Sequence, residues 1–284
     1  MIASKILIVN ADDFGLSEGI NRAILSAHQN GILRSTSIMP NGSAFEDAVR
    51  IALETPALGV GIHLSLIGEK SVSPAGELRG MVNAESLLPD SYPIFTRQLL
   101  SKRFTIGDVQ TEIRAQIERV LTAGLDPTHI DSHQHVHMLP AVFEIVLDVA
   151  REYGIPAIRI PLERGGSDSG GIFTQLKQTW LLSRICRARL RQVEAAGLHT
   201  ADWFWGLGVS GKMDEANLMA ALQSLGPGVN EVMCHPGISD SATVERYQWG
   251  YSWDDELAAL QSESVRRFID DNDIRLASFR DAWS

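Results

Sequence analysis

Aspartates and histidines gather at a few places in this 284-residue sequence, each at or beside the end of a short apolar run. Asp12 and Asp13 follow Ile6 to Val9, and His63 closes Leu58 to His63. Asp131 ends Thr128 to Asp131 and opens the run Asp131-Ser-His-Gln-His-Val-His137, and His235 follows Glu231 to Cys234. Four of the eight histidines fall between His129 and His137, a density that chance does not readily give. Carboxylates and imidazoles are the side chains that hold divalent cations and move protons near neutral pH. Two ionised carboxylates in one pocket repel unless their tasks differ, so one of Asp12 and Asp13 would bind a metal and the other act as a base. Adding His63 and His133 gives three protein ligands with positions left for water, which is how catalytic rather than structural sites are built. Water on such a metal is acidic enough to attack at neutral pH.

Each residue also has a plainer reading. An isolated Asp-Asp pair is more often a helix cap or a solvated turn, and a single His63 is as readily a satisfied buried imidazole. Alternate residues of an extended segment face one way. One or two of His133, His135 and His137 would therefore touch metal, while the others and Asp131 would orient ligands or meet substrate. His235, in Cys234-His-Pro-Gly237, is either a strand-end histidine or a general acid protonating a leaving group. Arg159 either holds Asp12 ionised at a catalytic centre or makes a structural ion pair. Trp203, Trp205, Trp249 and Trp253 lie near Phe204, Tyr247 and Tyr251. Such aromatics are core by default; the functional reading makes them a wall that stacks on sugar or apolar rings, with Trp203 and Trp205 as substrate contacts.

These residues need a scaffold that brings strand ends together, and the hydrophobic pattern supplies one. Ile6–Val9 reads as a strand, and Ile20, Ala23, Ile24 and Ala27 follow Ser17 at helical spacing, with Gly31 as the stop. The alternation continues with strands at Ser35–Met39, Leu58–His63, Thr128–Asp131, Ala157–Ile160, Asp202–Leu207, Glu231–Cys234 and Arg275–Ser278. Helices are expected around 44–53, 109–123, 141–152, 176–195, 215–225 and 256–269. About eight βα units predict an α/β fold, a TIM-like (β/α) barrel that allows an irregular or seven-stranded form, with the strand C-termini forming the active face. A doubly wound sheet would carry a glycine-rich turn after its first strand; here the turn is Asn10-Ala-Asp-Asp-Phe-Gly15. No linker divides the chain, so residues 1–284 read as one domain. The aperiodic stretch 64–106 is long enough to be a lid or substrate wall.

Composition narrows the partners. A net charge of −10 offers nucleic acid no electrostatic footprint. Cys186 and Cys234 form no CxxC pair, which excludes a cysteine zinc cage and fits a reducing cytoplasm. No run approaches the ~20 apolar residues of a membrane span, and Ile6–Val9 is too short for a signal-peptide core. The helix bearing Arg184, Arg187, Arg189 and Arg191 near Trp180 reads as a solvated outer face, with peripheral contact to anionic lipid as its functional alternative.

The motifs Asn10-Ala-Asp-Asp-Phe-Gly15, Gly61-Ile-His-Leu64, His129-Ile-Asp-Ser-His-Gln-His-Val-His-Met-Leu-Pro140 and Cys234-His-Pro-Gly237 occur in an order that resembles the YdjC-like carbohydrate deacetylases. The resemblance runs from the first strand to the last. It implies a barrel-like deacetylase fold, a homodimer, and metal-dependent removal of acetyl from an N-acetylated sugar. It also implies one divalent ion, zinc or magnesium, on Asp13, His63 and His133, with Asp12 as base and His235 as acid. Residues 197–211 are similar to the hopanoid-biosynthesis-associated branch, which implies an N-acetylglucosaminyl hopanoid substrate. Asp131-Ser132 and Cys234-His235 also match the chitooligosaccharide branch. A metal phosphoesterase and a non-catalytic glycan- or lipid-binding barrel rank lower.

Overall fold

Seven strands, all paired in parallel, form one curved sheet in the computed structural model, which describes residues 4–163, 172–239 and 241–284. They are β1 (Lys5–Phe14), β2 (Ser35–Ile38), β3 (Gly59–Leu64), β4 (Ile130–Ser132), β5 (Trp203–Trp205), β6 (Gly228–Cys234) and β7 (Arg275–Ala277), in the order β4-β3-β2-β1-β6-β5. β7 lies beside the first half of β1, along Ile6–Ile8, while β2 takes the second half from Asn10 onward. Parallel pairing puts every strand's C-terminus on one side, as the barrel reading requires.

The sheet is a half-barrel rather than a closed ring of eight strands. Residues 157–163 run between the edges β4 and β5 but make only isolated bridges, Ile130 with Ile158, Ala157 with His199 and Glu163 with Phe204. The strand expected at Ala157–Ile160 is thus corrected to a bridging segment. Pro156 and Pro161 bracket it, and each removes a backbone donor that a ladder would need. The single helix expected over 256–269 is two, Trp253–Leu260 and Glu263–Asp271, because Ser262 between them adopts extended backbone angles.

The alternation of β1 explains the layering. Leu7, Val9 and Ala11 turn outward into the large core shared with the helices. Ile8, Asn10 and Asp12 turn to the concave side. There Ile8 joins Ala157, Ala201, Val229, Ala277, Phe279 and Ala282 in a small apolar floor. Above the floor the concave side is polar: Asn10, Asp12, Ser37, His63, Asp131, Arg159 and Glu231 are each at most 2% exposed. A charged layer inside a sheet is costly unless paired, and here Arg159 pairs with Asp12, Asp131 and Glu231.

Residues 65–105 form a built wall. They contain the helix Tyr92–Leu100 and bury Leu66, Ile67, Leu78, Met81, Leu88, Phe95 and Phe104. Glu112, in the helix Ile106–Thr122, accepts the amides of Val72 and Ser73 at 2.9 Å each, and Gln116 bridges both backbone groups of Ser65. Among the described residues no helix is long and apolar enough to cross a membrane. In the long helix Ile172–Ala195, Trp180 falls among residues whose side chains lie outside the description; Arg189 pairs with Glu144 at 3.0 Å and covers Phe143.

The turn after β1 depends on close backbone approach. Gly15 has φ +94°, and a Cβ on Gly42 would lie 2.2 Å from the Gly15 carbonyl oxygen. Backbone cannot yield as a side-chain tip can, so Gly42→Ala should cost about 1–3 kcal/mol, measured by urea denaturation.

Candidate active site

Arg159 lies at the centre of the concave face with no solvent exposure. Its Nη1 and Nη2 grip both oxygens of Asp12 at 2.6 and 2.7 Å, Nη1 also meets Asp131 at 2.7 Å, and Nε donates to Glu231 at 2.6 Å. One cation therefore serves three buried carboxylates. Burial opposes the guanidinium's charge, but these three carboxylates outweigh it and raise its pKa still further. The shortfall appears at Glu231: burial, only partly offset by Arg159, lifts its pKa to about 7. Asp12 is further fixed by Asn10 Nδ2 at 2.9 Å, and Asp131 accepts the Ser37 hydroxyl at 2.9 Å.

Asp13 turns the other way, toward His63 and His133. Its φ of 66° is left-handed, a region that Asp tolerates better than most residues. The helix that follows is capped by Ser17, whose side chain accepts from the Ile20 amide, so neither aspartate is used as its cap. Asp13 Oδ1 lies 3.4 Å from His63 Nε2 and 3.2 Å from His133 Nδ1, and its Oδ2 is buried without a hydrogen-bond partner. One ligand atom from each of these three residues fits within a 4.8 Å span.

His63 is oriented from behind. Its Nδ1 is 2.8 Å from Asp131 Oδ1, leaving Nε2 toward Asp13. A carboxylate behind an imidazole is the usual arrangement for a metal-binding histidine. Burial pulls the His63 pKa down, but the charges of Asp131 and Asp12 outweigh it and lift the value to about 10. For Asp13, burial pushes upward and hydrogen bonds from His133 and His63 win, holding it well below the usual carboxylate range. An acid-rich pocket that draws positive charge onto His63, with an unsatisfied Asp13 oxygen beside two imidazole nitrogens, fits a divalent cation. These residues form a buried His/Asp cluster able to hold one.

The remaining histidines separate. After β4 the chain makes a tight turn, with Gln134 and His135 at φ 50° and 52°. This brings His133 to Asp13 and sends its neighbours elsewhere. His137 lies between the Ser132 hydroxyl and the Arg159 carbonyl, 2.9 Å from the latter, and burial lowers its pKa to about 4. His135 faces Phe204, and burial lowers its pKa well below the usual value. His235 sits after β6, its Nδ1 buried without a partner and its ring 4.9 Å from Tyr251.

Trp203 and Trp205 are not brought to this centre. Phe204 meets Arg159 at 5.6 Å, so its neighbours on β5 face away; Trp203 donates to the Pro227 carbonyl, and Trp205 packs by Asn230. Trp249 instead lies 5.0 Å from His133, ring to ring. Sequence reasoning missed Ser37, Glu231 and Glu256. Glu231 carried a signal, a charged residue opening an otherwise apolar strand. Ser37 and Glu256 carried none, although the Glu256 carboxylate accepts the backbone amides of both Met213 and His235.

Acids and imidazoles converge at the C-terminal rim of a parallel α/β sheet, in a buried cluster that could hold a metal ion. The match to the YdjC-like protein family covers residues 6–271, and the chain belongs to that family. It is 32% identical to a carbohydrate deacetylase of Clostridium beijerinckii over 97% of this chain and 99% of the relative. It is 35% identical to one of Brevibacillus brevis, covering 96% and 98%. It is 33% identical to a chitooligosaccharide deacetylase of Salmonella paratyphi B, covering 98% and 99%. An Enterococcus faecalis crystal structure, of a protein provisionally named for cellobiose-phosphate cleavage, superposes with a TM-score of 0.75 at 26% identity, covering 98% of both chains. The chain is accordingly an enzyme of the amide-hydrolysing, deacetylase kind.

Two stability tests follow from the Arg159 hub. Arg159→Met should lose about 3–5 kcal/mol, because three buried carboxylates lose their cation; denaturant unfolding reads this. Glu231, with its folded pKa raised, binds a proton that the unfolded chain has released between about pH 4 and pH 7. Its contribution to stability falls as pH rises through that window. Glu231→Gln should remove that fall, seen as a flatter profile of unfolding free energy against pH than the parent's.

Proposed function

We propose that the protein removes the acetyl group from an N-acetylated sugar, with Asp13, His63 and His133 holding one divalent cation, zinc or magnesium. The convergence of these three residues beside Asp12 and His235, in a chain related over nearly its whole length to deacetylases, carries this reading. The cation, when bound, supplies Lewis acidity for the acetamide carbonyl and lowers the pKa of water. Asp12, held by Arg159 and Asn10, takes the proton of the attacking water. As the carbon–nitrogen bond breaks, His235 gives a proton to the nitrogen, since an amine leaves poorly as an anion. Asp131 keeps His63 in the tautomer with Nε2 free, Arg159 orients the base, and acetate and a free amine are the products.

N-acetylglucosaminyl hopanoid is the substrate favoured by the resemblance of residues 197–211. Chitooligosaccharide is the second reading, favoured by relatives of that name. Acetate release from each, by metal-reconstituted protein, decides between them; release from neither, with metal bound, rejects the function. One metal equivalent per chain is expected, and two would favour a phosphoesterase. Asp12→Asn and His235→Asn should each slow acetate release by about 100-fold or more while the metal content stays at one equivalent. An Asp12→Asn enzyme with full turnover would refute the base assignment.

A further inference from the structure

A cavity of about 220 Å³ opens beside His133. Leu16 and Met39, after β1 and β2, line it, and its polar and aromatic walls are Glu69 and Asp90 from the built wall and Arg246, Tyr247 and Trp249 from the chain after β6. Three features give it the character of a ring subsite. Tyr247, Trp249 and Tyr251, two residues apart, make a continuous aromatic run, with ring centroids 4.8 and 5.4 Å apart. The run touches His133 through Trp249 and His235 through Tyr251, 5.0 and 4.9 Å between ring centres. At its other end the Glu69 carboxylate is nearly buried, 6% exposed, and is held by the Tyr247 hydroxyl at 2.8 Å and by Arg246. A carboxylate offers about four lone-pair sites, so two donors leave it able to accept from further hydroxyls.

A flat apolar face beside a fixed acceptor suits a pyranose, which has an apolar C–H face and a rim of hydroxyl donors. Size and charge refine the class. Typical drug-sized ligand sites occupy ~300–1,000 Å³, so this cavity suits one ring, and whatever the ring is attached to must lie outside. Glu69 and Asp90 against Arg246 leave the wall net negative, which favours an uncharged ring over a phosphorylated one. We infer that Trp249 and Glu69 form a specificity subsite for a single uncharged N-acetylhexosamine ring, stacked on the indole and hydrogen-bonded through its hydroxyls to the carboxylate. This deepens the proposed deacetylation and rests on it only for the ring's acetamide.

The test is calorimetric titration of N-acetylglucosamine and its 6-phosphate into metal-reconstituted Asp12→Asn protein, alone and with Trp249→Ala, Trp249→Phe or Glu69→Gln added. The parent should bind the neutral sugar, and the phosphate at least 10-fold more weakly. Trp249→Ala and Glu69→Gln should each weaken neutral-sugar binding at least 10-fold at unchanged metal content, with Trp249→Phe retaining most of it. Absence of binding by the parent, equal binding by the variants, or tighter binding of the phosphate would overturn the inference. Acetate release by the unmutated enzyme is scored separately. Ring binding as expected without release would reject the deacetylase reading and leave the subsite standing; release with unaffected variants would do the reverse.

Discussion

The concave face of this protein depends on one buried guanidinium. Without Arg159, Asp12, Asp131 and Glu231 would place three carboxylates in a space closed to water, and the fold could keep them only by protonating them. With it, Asp12 and Asp131 are fixed to within hydrogen-bond precision, and Asp131 in turn fixes His63. Buried ion pairs are weak evidence for stability because desolvation offsets much of their attraction. Here the return is positional. Of the residues held by Arg159, Asp131 stands behind His63 and Asp12 adjoins Asp13, so the hub fixes the candidate site's geometry from within the fold.

The layers of the half-barrel divide the work. Small side chains, Ala157, Ala201 and Ala277, with Phe279, close the floor. The charged layer above it is rigid because almost every polar atom is paired. Asn10 Oδ1 is unpartnered within that layer, and in the uppermost layer Asp13 Oδ2 and His235 Nδ1 have no partners, while Asp13, Gln134 and His135 hold left-handed backbone angles. Strain and unsatisfied polar atoms are expected where function opposes stability. At the rim both features fall on Asp13, beside the imidazoles of His63 and His133.

Much of this was legible because βα alternation sends strand ends to one face, so Asp12, Asp13, His63, Asp131 and His235 could be grouped without coordinates. The ring was harder to read. Ala157–Ile160 has the composition of a strand, but its flanking prolines leave it only isolated bridges. Supporting residues were hidden for a different reason. Ser37 and Glu256 act through hydrogen bonds to groups distant in sequence, and no periodicity marks such a residue. Glu231 was visible in principle, since a glutamate in an apolar strand requires a buried cation, and Arg159 was the candidate already in view.

The aromatic residues show how parity within a segment decides between equivalent compositions. Trp203-Phe204-Trp205 and Tyr247-Gln-Trp249-Gly-Tyr251 are both aromatic clusters, and composition alone gives both the same prospect of lining the site. On β5 the middle residue takes the inward position against Arg159, so both tryptophans face away from it. From Tyr247 to Tyr251 the odd-numbered residues are the partly or fully buried ones, and their rings meet in succession, Trp249 also meeting His133 and Tyr251 meeting His235. The register of β5 on β6 puts Phe204 opposite Glu231, the carboxylate that Arg159 holds, so this ring is the one that meets the guanidinium. Strand register at the buried charge therefore separates two clusters of like composition, one with its indoles turned from Arg159 and one in contact with His133 and His235.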